Sequence, residues 1–539
     1  MKTQDWQMHD AREETSRLTS LHGLAACVLA FPPCQPTTFA MFRRLLTAAV
    51  LLTACHPALA DEPAAPSPAP LDFKASVVRL NSTLQAWSAG QPWEKSPPST
   101  RRALAAIIGP QQVITTSEMV ADATYLEFES PDGTRFAPAK VIAVDYEANL
   151  ALLGPASAED GAKLFANTTP LEIAPPSAIG ESLDIYQIED NGVALRTSGT
   201  LQSIDVSSTF LPGHNFLTYM VKASMQSAAS SYTVPVLQHG KLAGLLSSYN
   251  SKDQICDVCA TDIVARFIKA AATGKYIGFP SLGVAVAFTE DPLFRQWLKL
   301  PDDQGGVYIS AVRKGGAAEA AGIKKGDVLL AFDGHQIDRR GYFQHPKYGS
   351  LGWGHLARGE RAVGDVVSLA LMRDGRSLEV KATLTREEEQ ARLVPNYTFD
   401  RAPNYLVKGG FIFQELSLPM LQAFGEDWNA RAPLNLLDAY QNPEKYQDRA
   451  ERVIFLSGVI PTPATVGYES LRNLIVRKVN GKDIRDMKGL IAAFKGNLGE
   501  LHSIEFDEEK FTIYLDEAGS ASVDAQLLQR GIPRLYRAE

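Results

Sequence analysis

The residues with the clearest chemical spacing are Cys256 and Cys259, which form a Cys-Asp-Val-Cys segment. This spacing can close a small disulfide, supply half of a zinc site or form a thioredoxin-like redox centre. A zinc site needs four ligands, and the sequence offers no second pair. A redox centre needs a βαβ context, which the surrounding sequence lacks. We therefore predict a structural disulfide between Cys256 and Cys259, in an oxidising compartment.

Other polar clusters give weaker signals. The acidic runs at residues 302–303 and 387–389 are interpreted as solvated faces. His345, Trp353 and His355 fall in the segment 342–359, where the histidines lack metal-ligand spacing, so we interpret the segment as a long loop. The sequence thus predicts no metal site and no cofactor.

The elements that must position these residues belong to several domains. A chain of 539 residues is too long for one core. The net charge is −8 and no Lys/Arg-rich run occurs, which argues against a nucleic-acid binder.

The N-terminal region has the pattern of an export signal. Arg43 and Arg44 follow Met41, residues 45–54 are apolar, and small residues at 58–60 precede Asp61. We therefore predict that Met41 is the true start, that residues 1–40 lie upstream of it, and that 41–60 is a signal peptide. The competing interpretation is a genuine 40-residue cytosolic extension.

A second interpretation of this segment stays open. Residues 52–55, Leu-Thr-Ala-Cys, resemble a bacterial lipobox in which Cys55 is lipidated. Residues 61–72 would then be a stiff Pro-rich linker off the membrane. Both versions predict an exported protein of the periplasm or cell envelope, and any membrane tether is a lipid alone.

Short apolar segments separated by turn signals run from residue 73 to 272. Their spacing is typical of an all-β sandwich or barrel, and residues 261–272 have the pattern of a closing helix. A second unit covers 276–385, with an Ala-rich helix ended by Gly322 and a Gly-Asp turn before a strand. Residues 474–484 repeat its strand and Asx-Gly turn. We interpret 386–403 as a connector, 404–517 as a second copy and 518–539 as a helical tail.

The first domain resembles the protease domain of the Deg/HtrA family, on three motifs in order. Residues 113–120 match the segment that carries the catalytic His, and Glu118 stands at its place. Residues 149–153 match the Asp-Leu-Ala-Leu-Leu segment, with Asn149 for the Asp. Residues 230–235 match Gly-Asn-Ser-Gly-Gly-Pro, with Tyr232 at the nucleophile, and Pro235 and Gly240 fix that register. The resemblance implies a mainly β fold, a trypsin-like double β-barrel.

These departures remove the acyl-transfer chemistry of the family. A serine nucleophile needs a base within hydrogen-bond reach and an acid that orients that base. Glu118 is a poor base for an alcohol, Asn149 cannot stabilise an imidazolium, and Tyr232 places a bulky phenol where a small hydroxyl must attack. We predict a pseudoprotease. The alternative, an active protease with Ser231 as nucleophile, breaks the register at Pro235 and leaves no histidine as base.

The second unit resembles a PDZ domain. Its carboxylate-binding loop would be Ser281-Leu282-Gly283-Val284, followed by the strand residues Ala285 and Val286. An extended peptide pairs with such a strand while loop amides receive its terminal carboxylate. Gly283 permits close backbone approach. Leu282 and Val284 would line the side-chain pocket, although each fits a core position as well.

Further segments narrow the resemblance to the plant-organelle-type branch of the Deg proteases. These segments are residues 276–284, 393–397, 409–417 and 467–469. The branch ends in a degenerate second PDZ-like domain, so the resemblance implies two PDZ-type α+β domains and a trimer-based homo-oligomer. The predicted function is binding of polypeptide C-termini or unfolded proteins as a chaperone or adaptor. The alternatives are an active quality-control endopeptidase and a structural subunit that assembles with active relatives.

Overall fold

The computed structural model describes residues 72–208, 210–225, 233–496, 499–508 and 512–539. The predicted start at Met41, the signal segment, Cys55 and nearly all of the linker lie outside the described residues. So do Ser230, Ser231 and Tyr232.

The first barrel contains six antiparallel strands and closes on itself in the order β1-β2-β3-β6-β5-β4. β1 pairs with β2 on one side and β4 on the other, which closes the ring. Apolar residues such as Val78, Leu80 and Phe128 fill its interior. The strands are β1 Val77–Leu84, β2 Ser99–Gly109, β3 Gln112–Thr115, β4 Ala123–Glu129, β5 Phe136–Asp145 and β6 Leu150–Pro155.

The helix α1 (Ala158–Leu164) leads to a second closed barrel, of order β10-β11-β12-β9-β8-β7. Its strands are β7 Ser182–Ile188, β8 Ala194–Ser208, β9 Asn215–Lys222, β10 Pro235–Gln238, β11 Lys241–Asn250 and β12 Ile255–Ala260. The closing helix α2 (Thr261–Ala271) buries Ile263, Val264 and Phe267. The predicted trypsin-like double barrel is thus confirmed.

The next unit is a sheet of order β13-β14-β15-β19-β20, with β16 paired to β15. Its apolar core is continuous with that of the second barrel. The strands are β13 Val284–Ala287, β14 Val307–Val312, β15 Val328–Phe332, β16 His335–Gln336, β17 Tyr342–His345, β18 Gly349–Gly352, β19 Val366–Arg373 and β20 Arg376–Thr383. The helices are α3 Pro292–Trp297, α4 Ala317–Ala320 and α5 Gly354–Arg358.

The segment interpreted as a long loop contains a hairpin, β17–β18, and the helix α5. The hairpin holds this unit against the second barrel. The Tyr348 hydroxyl donates to Asp262 Oδ2 of α2 at 2.8 Å, and Arg266 of α2 donates to the Gly359 carbonyl at 2.7 Å.

The last unit has a sheet of order β27-β26-β24-β23-β22-β21-β28, with β25 paired to β24. The strands are β21 Tyr405–Lys408, β22 Phe411–Glu415, β23 Ile454–Val459, β24 Leu474–Val479, β25 Lys482–Asp483, β26 Leu501–Phe506, β27 Thr512–Asp516 and β28 Tyr536–Arg537. The helices are α6 Leu418–Gln422, α7 Trp428–Arg431, α8 Leu434–Gln441, α9 Met487–Lys495 and α10 Glu517–Gln529. The predicted helical tail contains α10 but ends as a strand, β28.

The predicted disulfide is not formed, and this prediction is corrected. Cys256 and Cys259 are buried free thiols on one strand, β12. Three strand steps separate their Cα atoms by roughly 10 Å and turn their side chains to opposite faces. A disulfide needs Cα atoms within about 7 Å, so the strand itself prevents the bond.

Among the described residues, no helix combines the length and the apolar character that crossing a bilayer requires.

Gly244 shows how tightly the second barrel is packed. A Cβ at Gly244 would come within 2.3 Å of the Cys259 carbonyl oxygen and 2.6 Å of Val258 Cγ1. We expect Gly244→Ala to destabilise the protein by about 1–3 kcal/mol because a backbone atom must move. Gly458→Ala on β23 is the matched control, since nothing lies within 4 Å of its Cβ position. Calorimetry of both variants checks this, and equal shifts in Tm would contradict it.

Candidate functional site

Glu118 and Asn149 lie side by side at one end of the first barrel. The chain leaves β3 at Thr115 and turns through a short 3-10 helix, Ser117–Met119, which presents Glu118. Asn149 directly precedes β6 and has a φ of 54°, a left-handed conformation that asparagine tolerates. Asn149 Nδ2 lies 3.5 Å from Glu118 Oε1.

The Asn149 side chain also holds the turn together. Its Oδ1 accepts hydrogen bonds from the Glu118 backbone amide at 3.2 Å and from the Ser117 hydroxyl at 3.1 Å. Asn149 is 1% exposed, so these bonds are made away from solvent, where an unpaired polar group is costly. The two predicted site residues are therefore brought together as one hydrogen-bonded unit.

Burial raises the pKa of Glu118, against the opposing effects of the Asn149 hydrogen bond and the nearby Arg101 guanidinium. Arg101 Nη1 lies 3.8 Å from Glu118 Oε2. The pair consists of a carboxyl group and an amide, and neither is the imidazole that acts as base and acid in the Ser-His-Asp arrangement. The pair can accept and donate hydrogen bonds but offers no imidazole.

Tyr232, Ser230 and Ser231 lie outside the described residues. The described chain resumes at Thr233, which is fully buried. The Thr233 carbonyl accepts from Leu104 N of β2 at 3.1 Å, and Leu246 N of β11 donates to the Val234 carbonyl at 3.0 Å. The segment that follows the predicted nucleophile position is thus fixed to both barrels.

A buried ionic network lies in the turn between β5 and β6, and sequence reasoning missed it. Glu147 is 2% exposed, and its carboxylate oxygens lie 3.1 Å from Arg386, 3.5 Å from Arg358 and 3.2 Å from His214 Nδ1. Burial opposes the ionisation of Glu147, but His214, Arg386 and Arg358 together lower its pKa to about 2. Asn396 lies 3.2 Å from His214 Nε2. The sequence around Glu147 contains no motif that predicts these partners, because they are far from it in the sequence.

The predicted peptide loop lies at the end of the first PDZ-type sheet. Gly283 has a φ of 77°, which favours glycine, and its amide donates to the Ser281 hydroxyl at 3.1 Å. Leu282 is 3% exposed and belongs to the core, which is the alternative that the sequence left open. Ala285 is exposed, and Val284 and Val286 are half-buried.

Strand β13, which contains these residues, is an edge strand. Among the residues that the structure describes, it pairs with β14 alone. A cavity of about 950 Å³ lies beside it, with Gly283, Val284 and Ala285 in its wall, facing His214, Arg392 and Arg452. An unpaired strand edge next to an open groove is the geometry that strand addition by a peptide needs.

The last unit differs at the corresponding place. By sheet order β22 corresponds to β13, but β21 and β28 lie outside β22. Tyr405 and Leu406 of β21 pair with Arg537 and Tyr536 of β28. The strand edge that is free in the first PDZ-type unit is therefore covered by the chain itself in the second.

Within the part of the chain that the structure describes, two clusters have the composition of metal ligands: His345, His355 and Glu360, and Glu147, His214 and Glu389. In the first, His345 Nδ1 accepts from the Lys347 and Tyr348 amides at 3.2 and 3.1 Å, which places the ring proton on Nε2, the atom that faces Glu360. In the second, arginines already pair with both carboxylates. The prediction of no metal site stays a prediction.

The interpretation of residues 387–389 as a solvated face is wrong for two of the three. The side chains of Glu387 and Glu389 are 12% and 4% exposed, and both pair with Arg392. Glu388 is exposed, as are Asp302 and Asp303. A run of acidic residues does not reveal which arginines bury two of its members, Arg392 close by in the sequence and Arg313 far from it.

Comparisons with known proteins agree with this architecture. Models of the PDZ domain match residues 280–384 and 394–534. The chain is 25% identical over 467 residues to Protease Do-like 2, chloroplastic, of Arabidopsis thaliana, covering 86% of this chain and 74% of that protein. It is 22% identical over 463 residues to Protease Do-like 4, mitochondrial, of the same plant, covering 85% and 84%.

A bacterial relative and a solved structure cover less of the chain. Serine protease Do-like HtrA of Bacillus subtilis (strain 168) is 24% identical over 310 residues, covering 52% of this chain and 62% of that protein. The structure of the HtrA-type protease AlgW with decapeptide has a TM-score of 0.44 and 17% identity, and covers 58% of this chain and 97% of that chain.

The raised pKa of Glu118 predicts a pH-dependent change in stability. A carboxyl group whose folded pKa lies above its unfolded value favours folding below the unfolded pKa, and that contribution is lost as the pH rises through the folded pKa. Glu118→Gln removes the buried charge, so we expect a higher Tm than wild type at pH 8 and a smaller difference at pH 4. Glu94→Gln, at an exposed position, is the control and should shift neither value. An equal gain at both pH values would contradict the assignment.

Proposed function

We propose that this chain, a homologue of the Do-like proteases of the Deg/HtrA family with two PDZ domains, is a pseudoprotease that binds polypeptide C-termini or unfolded protein as a chaperone or adaptor. The observation that carries the proposal is the contact between Glu118 and Asn149, 3.5 Å apart. They stand where the family motif has His and Asp. Without an imidazole the pair has no base for a serine nucleophile, and loss of one such group in a comparable protease costs up to about 10⁶ in turnover.

The binding half of the proposal rests on the edge of β13. Its free edge, the glycine loop at Gly283 and the cavity beside them supply backbone groups, a close approach and space. A peptide that adds as a strand gains main-chain hydrogen bonds, and pockets for alternate side chains give specificity. The covered edge of β22 supports a role in assembly for the second PDZ domain.

Assembly and location complete the proposal. Apolar side chains on β4 and β5 are exposed to solvent, namely Tyr125 at 49%, Phe136 at 53% and Ile142 at 46%. A strip of this kind supports a homo-oligomer, which we propose to be trimer-based.

The signal pattern at 41–60 and the lipobox at Cys55 support export to the periplasm or envelope, soluble or lipid-tethered.

A probe of serine nucleophiles tests the catalytic half. We expect purified protein to show no casein turnover and no fluorophosphonate labelling above a heat-denatured sample, because no base activates a serine. Trypsin at equal concentration is the positive control. Labelling that disappears in Ser230→Ala or Ser231→Ala would overturn the pseudoprotease assignment in favour of an active endopeptidase.

Retention of peptides tests the binding half. The probe is a mixture of random octapeptides immobilised through their N-termini with free C-terminal carboxylates. We expect wild-type protein to be retained and Gly283→Ala to bind about tenfold more weakly, a loss of about 1.4 kcal/mol, because a side chain at positive φ distorts the loop.

The control is Gly334→Ala, which introduces a side chain at a φ of 82° in the turn between β15 and β16 of the same domain, where nothing lies within 4 Å of its Cβ position. Equal losses in both variants would show a general effect of strain. No retention of the wild-type protein would favour a structural subunit over a peptide-binding one.

A further inference from the structure

The carboxylate of Glu387, in the connector between the two PDZ domains, lies at the peptide loop of the first one. The Ser281 hydroxyl donates to Glu387 Oε2 at 3.3 Å. Arg313 and Arg392 both form ion pairs with Glu387 Oε1. With 12% of its side chain exposed, Glu387 is held among these three groups rather than in solvent.

Arg313 belongs to the peptide loop in space. It follows the last residue of β14, and its amide donates to the Gly283 carbonyl at 2.9 Å. A Cβ on Gly283 would lie 3.6 Å from Arg313 Cβ, in ordinary contact. The base of the Arg313 side chain therefore lies beside the glycine that lets a peptide terminus approach the backbone, and its guanidinium group meets the carboxylate that Ser281 of the loop also contacts.

Two arginines at one place require an anion. Burial and, second to it, the positive charge of Arg392 lower the pKa of Arg313 to about 10, against the opposing effects of Glu389 and Glu147. Two guanidinium groups that share a part-buried site repel each other unless a carboxylate lies between them. Arginine also suits this role because its planar fork binds a carboxylate through paired hydrogen bonds. Glu387 supplies the carboxylate in the free protein.

We propose that Ser281, Arg313 and Arg392 form the site for the α-carboxylate of a bound polypeptide, and that Glu387 occupies this site as a built-in competitor. The proposal rests on the peptide-binding function proposed above and names the group of the ligand that is recognised. An incoming C-terminus replaces one carboxylate by another, so the charge of the site is unchanged. The apparent affinity for the peptide is the intrinsic affinity multiplied by the fraction of molecules in which Glu387 has left the site.

The residue before Glu387 connects the site to the first barrel. Arg386 pairs with Glu147 at 3.1 Å and lies 3.7 Å from Asp145 Oδ2, both in the turn that leads to Asn149. Its guanidinium also fills the space beside Gly278, where a Cβ would lie 2.7 Å away. Displacement of Glu387 by a peptide therefore acts directly next to an arginine that anchors this turn.

The first experiment measures peptide retention with and without the competitor. The probes are the immobilised random octapeptides with free carboxylates and the same mixture with C-terminal amides. We expect Glu387→Gln to bind the free-carboxylate mixture about tenfold more tightly than wild type, because the occupied fraction falls, and to leave binding of the amides unchanged. Glu388→Gln removes the same charge from an exposed neighbour and should match wild type.

A second, more conservative variant distinguishes the loss of the competing carboxylate from misfolding of the domain. Glu387→Asp keeps the charge between the arginines but withdraws it by one methylene, so we expect an intermediate gain. Hydrogen–deuterium exchange followed by mass spectrometry should show faster exchange at residues 281–287 and 145–149 in Glu387→Gln, and no change in Glu388→Gln.

Each remaining outcome decides one of the two proposals. Equal retention of free-carboxylate peptides by wild type and Glu387→Gln would overturn the competition and leave the peptide-binding function intact. Equal gains for acids and amides would overturn the carboxylate site. If no variant retains any peptide, the proposed peptide-binding function fails, and the competitor fails with it.

Discussion

The buried carboxylate of Glu147 is the constraint on which the arrangement of the domains depends. An unpaired charge at this depth costs several kcal/mol, and removal of one partner from a buried pair typically costs about 3–5 kcal/mol. The partners that offset this cost come from separate parts of the chain: His214 from a loop of the second barrel, Arg358 from α5 and Arg386 from the connector. The turn of the first barrel therefore reaches its ionised, buried state only when the second barrel, the first PDZ domain and the connector are all in place. The Tyr276 hydroxyl adds another link, to Asp145 at 2.7 Å.

This constraint gives the two PDZ domains different roles. The first is held on the barrels by the network and by the β17–β18 hairpin, so its free edge at β13 has a fixed place beside the loop that contains His214. The second has closed the same edge with β21 and β28, and Asn396 of the connector that precedes it contacts His214 of the network. A strand edge that is already paired cannot accept a peptide, whereas an unpaired edge must be protected from pairing with other chains. Glu387 and its two arginines lie next to the free edge of β13, and their charged side chains provide this protection.

The sequence was most informative where neighbouring residues determine the local structure. Short apolar segments and turn signals predicted a β-rich first domain, and the Ala-rich helix ending at Gly322 and the Asx-Gly turns predicted a repeated unit, because each depends on local backbone preference and side-chain period. The double barrel and the PDZ domains were implied by the resemblance to the Deg/HtrA family. The disulfide failed because Cys-x-x-Cys specifies spacing but not the extended strand that separates the thiols. The interpretation of residues 387–389 as a solvated face is wrong for Glu387 and Glu389. The burial of a carboxylate depends on arginines that can lie far away in the sequence, such as Arg313, which is 74 residues from Glu387. The network around His214 joins residues from 145 to 396 and could not be seen before the chain was folded.

Under the proposed function Glu118 and Asn149 replace the His and Asp of the family motif, and these two residues fit each other physically. Asn149 Oδ1 accepts from Ser117 and from the Glu118 amide, and an aspartate could accept the same two bonds. The groups differ in the remaining atom, since Asn149 Nδ2 faces Glu118 Oε1 at 3.5 Å. An aspartate there would place two carboxylates in contact in a buried site, where one of them must stay protonated. An asparagine replaces that repulsion by a weak hydrogen bond. Under the proposed function, once a glutamate stands at 118, an amide at 149 preserves the turn that the barrel and its ionic network both need.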